Sequence, residues 1–220
     1  MAGSHNAPDD QSAAGPGGRL RFDAGFSPEV GEPELVGPGI CRIVAPNPGP
    51  YTFTGTNTYL IGNDQVFVLD PGPDDPAHLT VLLDAVAGRR VVAILLTHTH
   101  KDHSALAKAL SDRVAAPIWF EGRHRLSRPL RRLEINLLSG SCDWGLVPDR
   151  KLSDGEEIAA GSMRLRVVAT PGHCANHISF GVVGRPELFS GDHVMGWNST
   201  LVATPDGDMG AYYDALDRLI

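Results

Sequence analysis

Val91-Val92-Ala93-Ile94-Leu95-Leu96-Thr97-His98-Thr99-His100-Lys101-Asp102-His103 is the stretch that decides the fold of this chain. Its first six residues are aliphatic and read as a buried strand. Four metal-ligating side chains follow within six residues, in the pattern H-x-H-x-D-H. A strand that ends in a tight loop delivers such ligands to a sheet edge, where substrate can reach a metal. Imidazole nitrogens with a carboxylate suit zinc, and also iron or manganese. A solvated His-rich loop is the plain alternative, and the strand directly in front of the cluster weighs against it.

Two more ligand-type residues lie downstream in the same arrangement. Thr170-Pro171-Gly172-His173 follows the strand-like run Leu165-Arg166-Val167-Val168-Ala169, and Ser190-Gly191-Asp192 follows Glu187-Leu188-Phe189. Gly172 and Gly191 allow the sharp turns that such strand ends need. Three strand ends can therefore converge on one centre.

In this order the motifs resemble those of the metallo-β-lactamase superfamily, from roughly Pro50 to the C-terminus. The resemblance implies an α/β fold, an αββα sandwich of two sheets between helices. It implies that His98, His100 and His173 bind a first metal, that Asp102 and His103 bind a second, and that Asp192 bridges both. Two zinc ions are the cofactor so implied for a complete site, with iron or manganese as alternatives. The family's final His has no match before Ile220, so the second half of the sandwich is expected to be incomplete at its C-terminal end. His193 is the internal candidate to replace that His, but neighbouring side chains on an extended backbone point apart. Asp70, in Asp70-Pro71-Gly72, either helps hold the metal loop, as an Asp at this place does in the family, or simply caps a turn.

Thr54-Gly55-Thr56-Asn57-Thr58-Tyr59-Leu60, Pro171-Gly172-His173-Cys174-Ala175-Asn176-His177 and Ser190-Gly191-Asp192-His193-Val194-Met195-Gly196 are similar to the group containing beta-lactamase-like protein 2. That group's better-known members are endoribonucleases. The resemblance implies metal-assisted hydrolysis of a phosphodiester in single-stranded RNA, or of a small molecule, with Asp102 ligating one metal and orienting the nucleophile. His177 either contacts a phosphate or the leaving group, or is a buried His bonded to backbone. A thioester or lactam hydrolase is an alternative, although the match to glyoxalase II is looser. So is a mononuclear iron persulfide dioxygenase using the two histidines and Asp192, and so is a non-catalytic binding module. The His at position 100 weighs against flavodiiron-type proteins, which generally carry Glu there.

The length of 220 residues suits one domain over residues 19–220, with a flexible tail over Met1–Gly18 that is rich in Gly, Ala, Pro and Ser. An apolar content of 42% is enough for a sizeable core. No apolar run is long enough to span a membrane, and no secretory signal is evident. Cys41, Cys142 and Cys174 form no paired framework, which suits a reducing cytoplasm. Cys174 reads as a packing residue beside His173. The net charge of −7 argues against tight non-specific nucleic-acid binding. Arg123, Arg125, Arg128, Arg131 and Arg132 stand out against that charge, either as a phosphate-holding groove or as a solvated helix face. Thr58–Ile61 and Val66–Leu69 read as a hairpin, and Pro117–Phe120 as a strand. Helices are expected over Pro76–Ala87, Asp102–Ser111 and Asp208–Ile220, with His78 on a solvent-facing side.

Overall fold

The computed structural model describes residues 25–219, and the tail expected over Met1–Gly18 lies outside them. A seven-stranded sheet runs in chain order: β1 (Glu34–Gly37), β2 (Ile40–Val44), β3 (Asn57–Gly62), β4 (Gln65–Leu69), β5 (Arg90–Leu95), β6 (Ile118–Phe120) and β7 (Arg150–Lys151). The first four strands are antiparallel, and β3–β4 is the expected hairpin. From β4 onward the pairing is parallel. Parallel neighbours need long crossovers. Here α1 (Pro76–Val86) links β4 to β5, and α2 (Lys101–Ser104) with α3 (Ala107–Val114) links β5 to β6. A second, four-stranded antiparallel sheet has the order β11-β10-β9-β8, formed by β8 (Glu157–Ala160), β9 (Met163–Ala169), β10 (Ile178–Val182) and β11 (Leu188–Phe189). Helix α4 (Met209–Asp217) follows.

Alternation along β4 and β5 explains the layering. Phe67, Leu69, Ala93 and Leu95 face the second sheet and meet Leu165, Val167, Ile178 and Phe180. Val66, Val68, Ile94 and Leu96 face the opposite way, against Leu82 and Val86 of α1 and Leu110 of α3. Strands buried on both faces read as continuous apolar runs, which is why Val91–Leu96 lacks a polar side. Asp75 caps α1 by accepting from the His78 backbone N–H at 2.8 Å, and Pro76 opens the first turn.

Three sequence expectations need correction. The helix expected over Asp102–Ser111 is broken into α2 and α3. Leu106 N–H does not continue the helical ladder but donates to Gly72 O at 3.1 Å, while Gly72 N–H donates to His103 O at 3.1 Å. The turn after β4 thus stitches itself into the metal loop. His78 does not face solvent; it is 1% exposed and bonds Thr58 Oγ1 at 3.2 Å. The arginine-rich stretch is not a helix face. Residues 121–149 form an irregular excursion between β6 and β7, broken by Pro129 and holding only the short 3-10 turn Ser139–Ser141. Within it Arg125 pairs with Glu121 and Arg128 with Glu134, each at 2.6 Å. Helix α4 is found where expected up to Asp217, and Ile220 lies outside the described residues.

Helix α4 docks on the turn that carries His173. A Cβ at Gly172 would lie 2.5 Å from the Tyr212 Cα, so only glycine permits this approach. Arg218 ties the far end down by donating to Ala169 O at 2.9 Å and pairing with Asp154.

Candidate metal centre

Each histidine of the cluster is oriented by an acceptor behind it. Asp70 lies at the end of β4 with φ +50°, 3% exposed. It accepts from Thr97 N–H at 2.8 Å, from Thr97 Oγ1–H at 2.8 Å and from His103 Nδ1–H at 3.0 Å. Asp70 therefore holds the metal loop and is more than a turn cap. With its own proton given to Asp70, Thr97 Oγ1 accepts from His98 Nδ1–H at 3.0 Å. His173 Nδ1–H donates to Leu201 O at 2.7 Å, and His100 Nε2–H to Asp206 Oδ2 at 2.9 Å.

These outer bonds leave the inner nitrogens bare. His98 Nε2 lies 3.1 Å from His100 Nδ1, and His173 Nε2 lies 2.8 Å from the same atom. Three imidazole lone pairs thus point at one spot. They repel one another unless a cation sits among them, and neutral imidazoles with second-layer acceptors are what zinc and its competitors select. The residues present fit a metal. Burial and the neighbouring imidazoles hold His98 well below the ordinary histidine range, and burial also lowers His173, so both are available as neutral ligands.

A second group lies alongside. His103 Nε2 is 3.2 Å from Asp192 Oδ1 and 3.6 Å from Asp102 Oδ2, while Asp192 Oδ2 is 3.6 Å from His173 Nε2. Asp192 is thus placed between the two groups, as a bridging carboxylate must be. Candidate ligand atoms of His98, His103 and Asp192 all lie within 4.8 Å of one another, as do those of His98, His100 and His173. Burial pulls the His103 pKa down, but Asp192, Asp102 and Asp70 outweigh it and hold it well above the usual value. Asp192 is held low by His103 despite its burial. The carboxylates here demand positive charge, supplied by an imidazolium or by a second cation.

The mouth of the site is formed by Asp102 and Asp192, whose side chains are 28% and 17% exposed. Two cavities meet there. One, of about 630 Å³, is lined by Tyr51, Leu138, Met195, Trp197 and Leu201 together with His100 and His173. The other, of about 230 Å³, lies on the His103 side and takes in Asn57, Asp70 and Ser190. Trp197 stacks on Phe53 at 5.1 Å between ring centroids and belongs to both walls. None of Arg123, Arg125, Arg128, Arg131 or Arg132 lines either cavity.

His177 is not in either cavity. It is 1% exposed, bonds Thr170 Oγ1 through Nδ1 at 2.8 Å and packs behind His98. That placement sets it back from both cavities, and its Nδ1 partner is a side-chain hydroxyl rather than backbone. His193 sits in a 3-10 turn, not in extended chain, and packs on Tyr212 at 4.7 Å between ring centroids. Its ring nitrogens have no partner and it joins neither ligand group. Cys174 is fully buried with its thiol raised well above the usual range by burial, which fits the packing role expected of it. Asp206 and His124 were not singled out by the sequence. Asp206 is 106 positions from His100, in Thr204-Pro205-Asp206-Gly207-Asp208, where it reads as a turn residue.

The comparisons with known proteins agree with this geometry. A family model described as the metallo-beta-lactamase superfamily matches residues 51–220. A beta-lactamase-like protein 2 homolog of Caenorhabditis elegans is 28% identical over 190 residues, covering 84% of this chain and 59% of that protein. An atrochrysone carboxyl ACP thioesterase of Aspergillus chevalieri is 28% identical over 192 residues, covering 86% of this chain and 55% of that protein. The chain thus spans somewhat over half the length of these relatives. Among solved structures, the BLEG-1 B3 metallo-beta-lactamase superposes with a TM-score of 0.63 at 26% identity, covering 81% of this chain and 83% of that one. TTHA1623 in a di-iron-bound form gives a TM-score of 0.58 at 25% identity, covering 81% and 84%. Among the described residues no helix is long and apolar enough to cross a membrane. With the H-x-H-x-D-H loop, the T-P-G-H turn and the S-G-D turn brought together at the ends of β5, β9 and β11, the chain belongs to the metallo-β-lactamase superfamily.

Proposed function

We propose that this chain is a dinuclear metal-dependent hydrolase of an acyl bond, a carboxylic thioester or ester, with zinc as the resident metal. The observation that carries the reading is the set of bare imidazole nitrogens on His98, His100 and His173, opening beside Asp102 and Asp192 onto a largely apolar cavity. His98, His100 and His173 would hold one ion, and Asp102, His103 and the shared Asp192 the other. A divalent cation so placed supplies Lewis acidity and brings the pKa of water from 15.7 toward about 7. The chain's own residues do the rest. Asp102 sits at the junction of both cavities with its carboxylate partly exposed, in position to orient a water and take its proton. Leu138, Met195, Trp197 and Leu201 offer an apolar wall for an acyl chain and keep bulk water from the carbonyl. The Aspergillus relative is a thioesterase by name. A phosphodiester substrate is less well served, because of the described lysines and arginines only Lys101 lines either cavity, its Nζ bonded to Gly140 O at 2.8 Å.

The test is a substrate panel on the zinc- and iron-loaded protein: an acyl thioester, a β-lactam and an activated phosphodiester. Thioester cleavage that is abolished by chelator and by Asp102→Asn is expected. Preference for the phosphodiester, or oxygen consumption with a persulfide and iron, would replace this reading.

A further inference from the structure

Beyond the ligands themselves, one buried chain of hydrogen bonds runs from Asn176 to His100. Asn176 Nδ2 donates to Gly122 O and to Thr99 Oγ1, both at 2.8 Å. Thr99 Oγ1 is then free to donate its own proton, and its partner is His124 Nδ1 at 3.0 Å. The Asp206 carboxylate facing Nε2 requires a proton on that nitrogen, and in the neutral ring Nδ1 then accepts from Thr99 Oγ1. His124 Nε2–H donates to Asp206 Oδ1 at 2.7 Å, and His100 Nε2–H donates to Asp206 Oδ2 at 2.9 Å. Every member is nearly or fully buried: Asn176 1%, Thr99 0%, His124 6%, Asp206 0% and His100 6% exposed. Asp206 thus has one oxygen on each imidazole.

We propose that His124 is a positioning residue of the metal centre, acting through Asp206 on His100. A carboxylate with two N–H donors, one on each oxygen, cannot swing. Its direction fixes the plane of the His100 ring and commits the His100 proton to Nε2, so that Nδ1 faces His98 and His173 as a bare donor. Removing His124 leaves Asp206 anchored on one side only and frees the His100 ring to tilt. Groups behind a metal ligand that fix its tautomer and orientation are worth about 10–100-fold in metal affinity. Satisfied buried networks of this kind act as units rather than as sums of pairs.

The inference gives the excursion between β6 and β7 a role at the site. His124 comes from its first turn, and Ser127 locks the same segment to the Asp206 loop through Ser127 Oγ–H to Asp206 O at 2.6 Å and Ser127 N–H to Pro205 O at 2.9 Å. Trp144, from the far end of the excursion, covers the His124 ring edge-on at 4.5 Å between centroids.

Two substitutions separate positioning from packing. His124→Phe keeps a ring and removes both nitrogens. His124→Gln returns an N–H toward Asp206. The readouts are the zinc dissociation constant by chelator competition and the visible spectrum of the cobalt(II)-loaded protein, with circular dichroism of the metal-free forms as a folding control. A 10–100-fold weaker zinc site and an altered cobalt spectrum are expected for His124→Phe, with most of the affinity and the parent spectrum recovered in His124→Gln. Zinc affinity within twofold of the parent with an unchanged spectrum in His124→Phe would overturn the inference. So would a His124→Gln protein as weak as His124→Phe, since that marks a packing role. Should His124→Phe fail to fold, Thr99→Val removes the hydroxyl that bonds His124 Nδ1 and accepts from Asn176. A several-fold loss of zinc affinity is then expected, and no loss overturns the inference.

Discussion

Gly191→Ala is a single methyl whose consequences can be worked out from the structure. Gly191 lies at the turn that presents Asp192, with φ +51°. A Cβ there would meet Thr97 Oγ1 at 2.7 Å, His177 Nε2 at 2.8 Å and Thr97 Cβ at 2.8 Å. None of these neighbours can yield cheaply. Thr97 is held by two bonds to Asp70 and supports His98, and His177 is buried against His98. The left-handed backbone alone costs an alanine about 1–2 kcal/mol. Overpacking against rigid neighbours adds about 1–3 kcal/mol. Gly184, at φ +77° with nothing within 4 Å of its Cβ, is the control that carries the backbone cost only. Denaturant titration of the metal-free proteins should place Gly191→Ala about 1–3 kcal/mol below Gly184→Ala, the overpacking part alone. Because the methyl pushes on Thr97, Gly191→Ala should also weaken zinc binding while Gly184→Ala leaves it unchanged. Equal stability and equal zinc affinity in the two variants would refute the packing described around Thr97 and Asp192.

Asp70→Asn replaces an acceptor of three hydrogen bonds by a group that must turn an N–H toward a donor. Zinc affinity should fall about 10–100-fold with the fold retained, measured by chelator competition. His193 gives a pH dependence whose sign is fixed. Burial, and then His173, lowers its pKa from 6.5 to about 4, so its contribution to stability is present above the unfolded value and is lost as pH falls from 6.5 toward 4. That loss amounts to about 3 kcal/mol. In chelator, His193→Phe should be less acid-sensitive than the parent by this margin, and identical pH profiles of stability would contradict the assignment.

The core of the site is legible in the sequence because it is written in short, local patterns. The aliphatic run before Thr97, the sharp turns at Gly172 and Gly191 and the hairpin of β3 and β4 are all set by residues adjacent in the chain. The resemblance then fixes which ligands meet. What the sequence hides is set by contacts between distant segments. Asp206 looks like one more turn carboxylate until the fold places it between His100 and His124. His78 occupies a helix position that periodicity alone assigns to solvent, yet Gly72 has no side chain, and the space beside it admits the imidazole up to Thr58. The helix after His100 is interrupted because Gly72 competes for its hydrogen bonds, which no window of the helix sequence reveals. The arginines of the excursion have a helix-like spacing, yet the segment is irregular around Pro129, and their pairing with Glu121 and Glu134 is local to a loop.

The account rests on His98, His100 and His173 sharing one metal ion through bare ring nitrogens. Elemental analysis of the purified, dialysed protein and of His100→Ala tests this most directly. The parent should retain at least one transition-metal equivalent per chain, and His100→Ala should lose most of it. A parent that holds no transition metal after loading, or a His100→Ala protein with the parent's metal content, would contradict it.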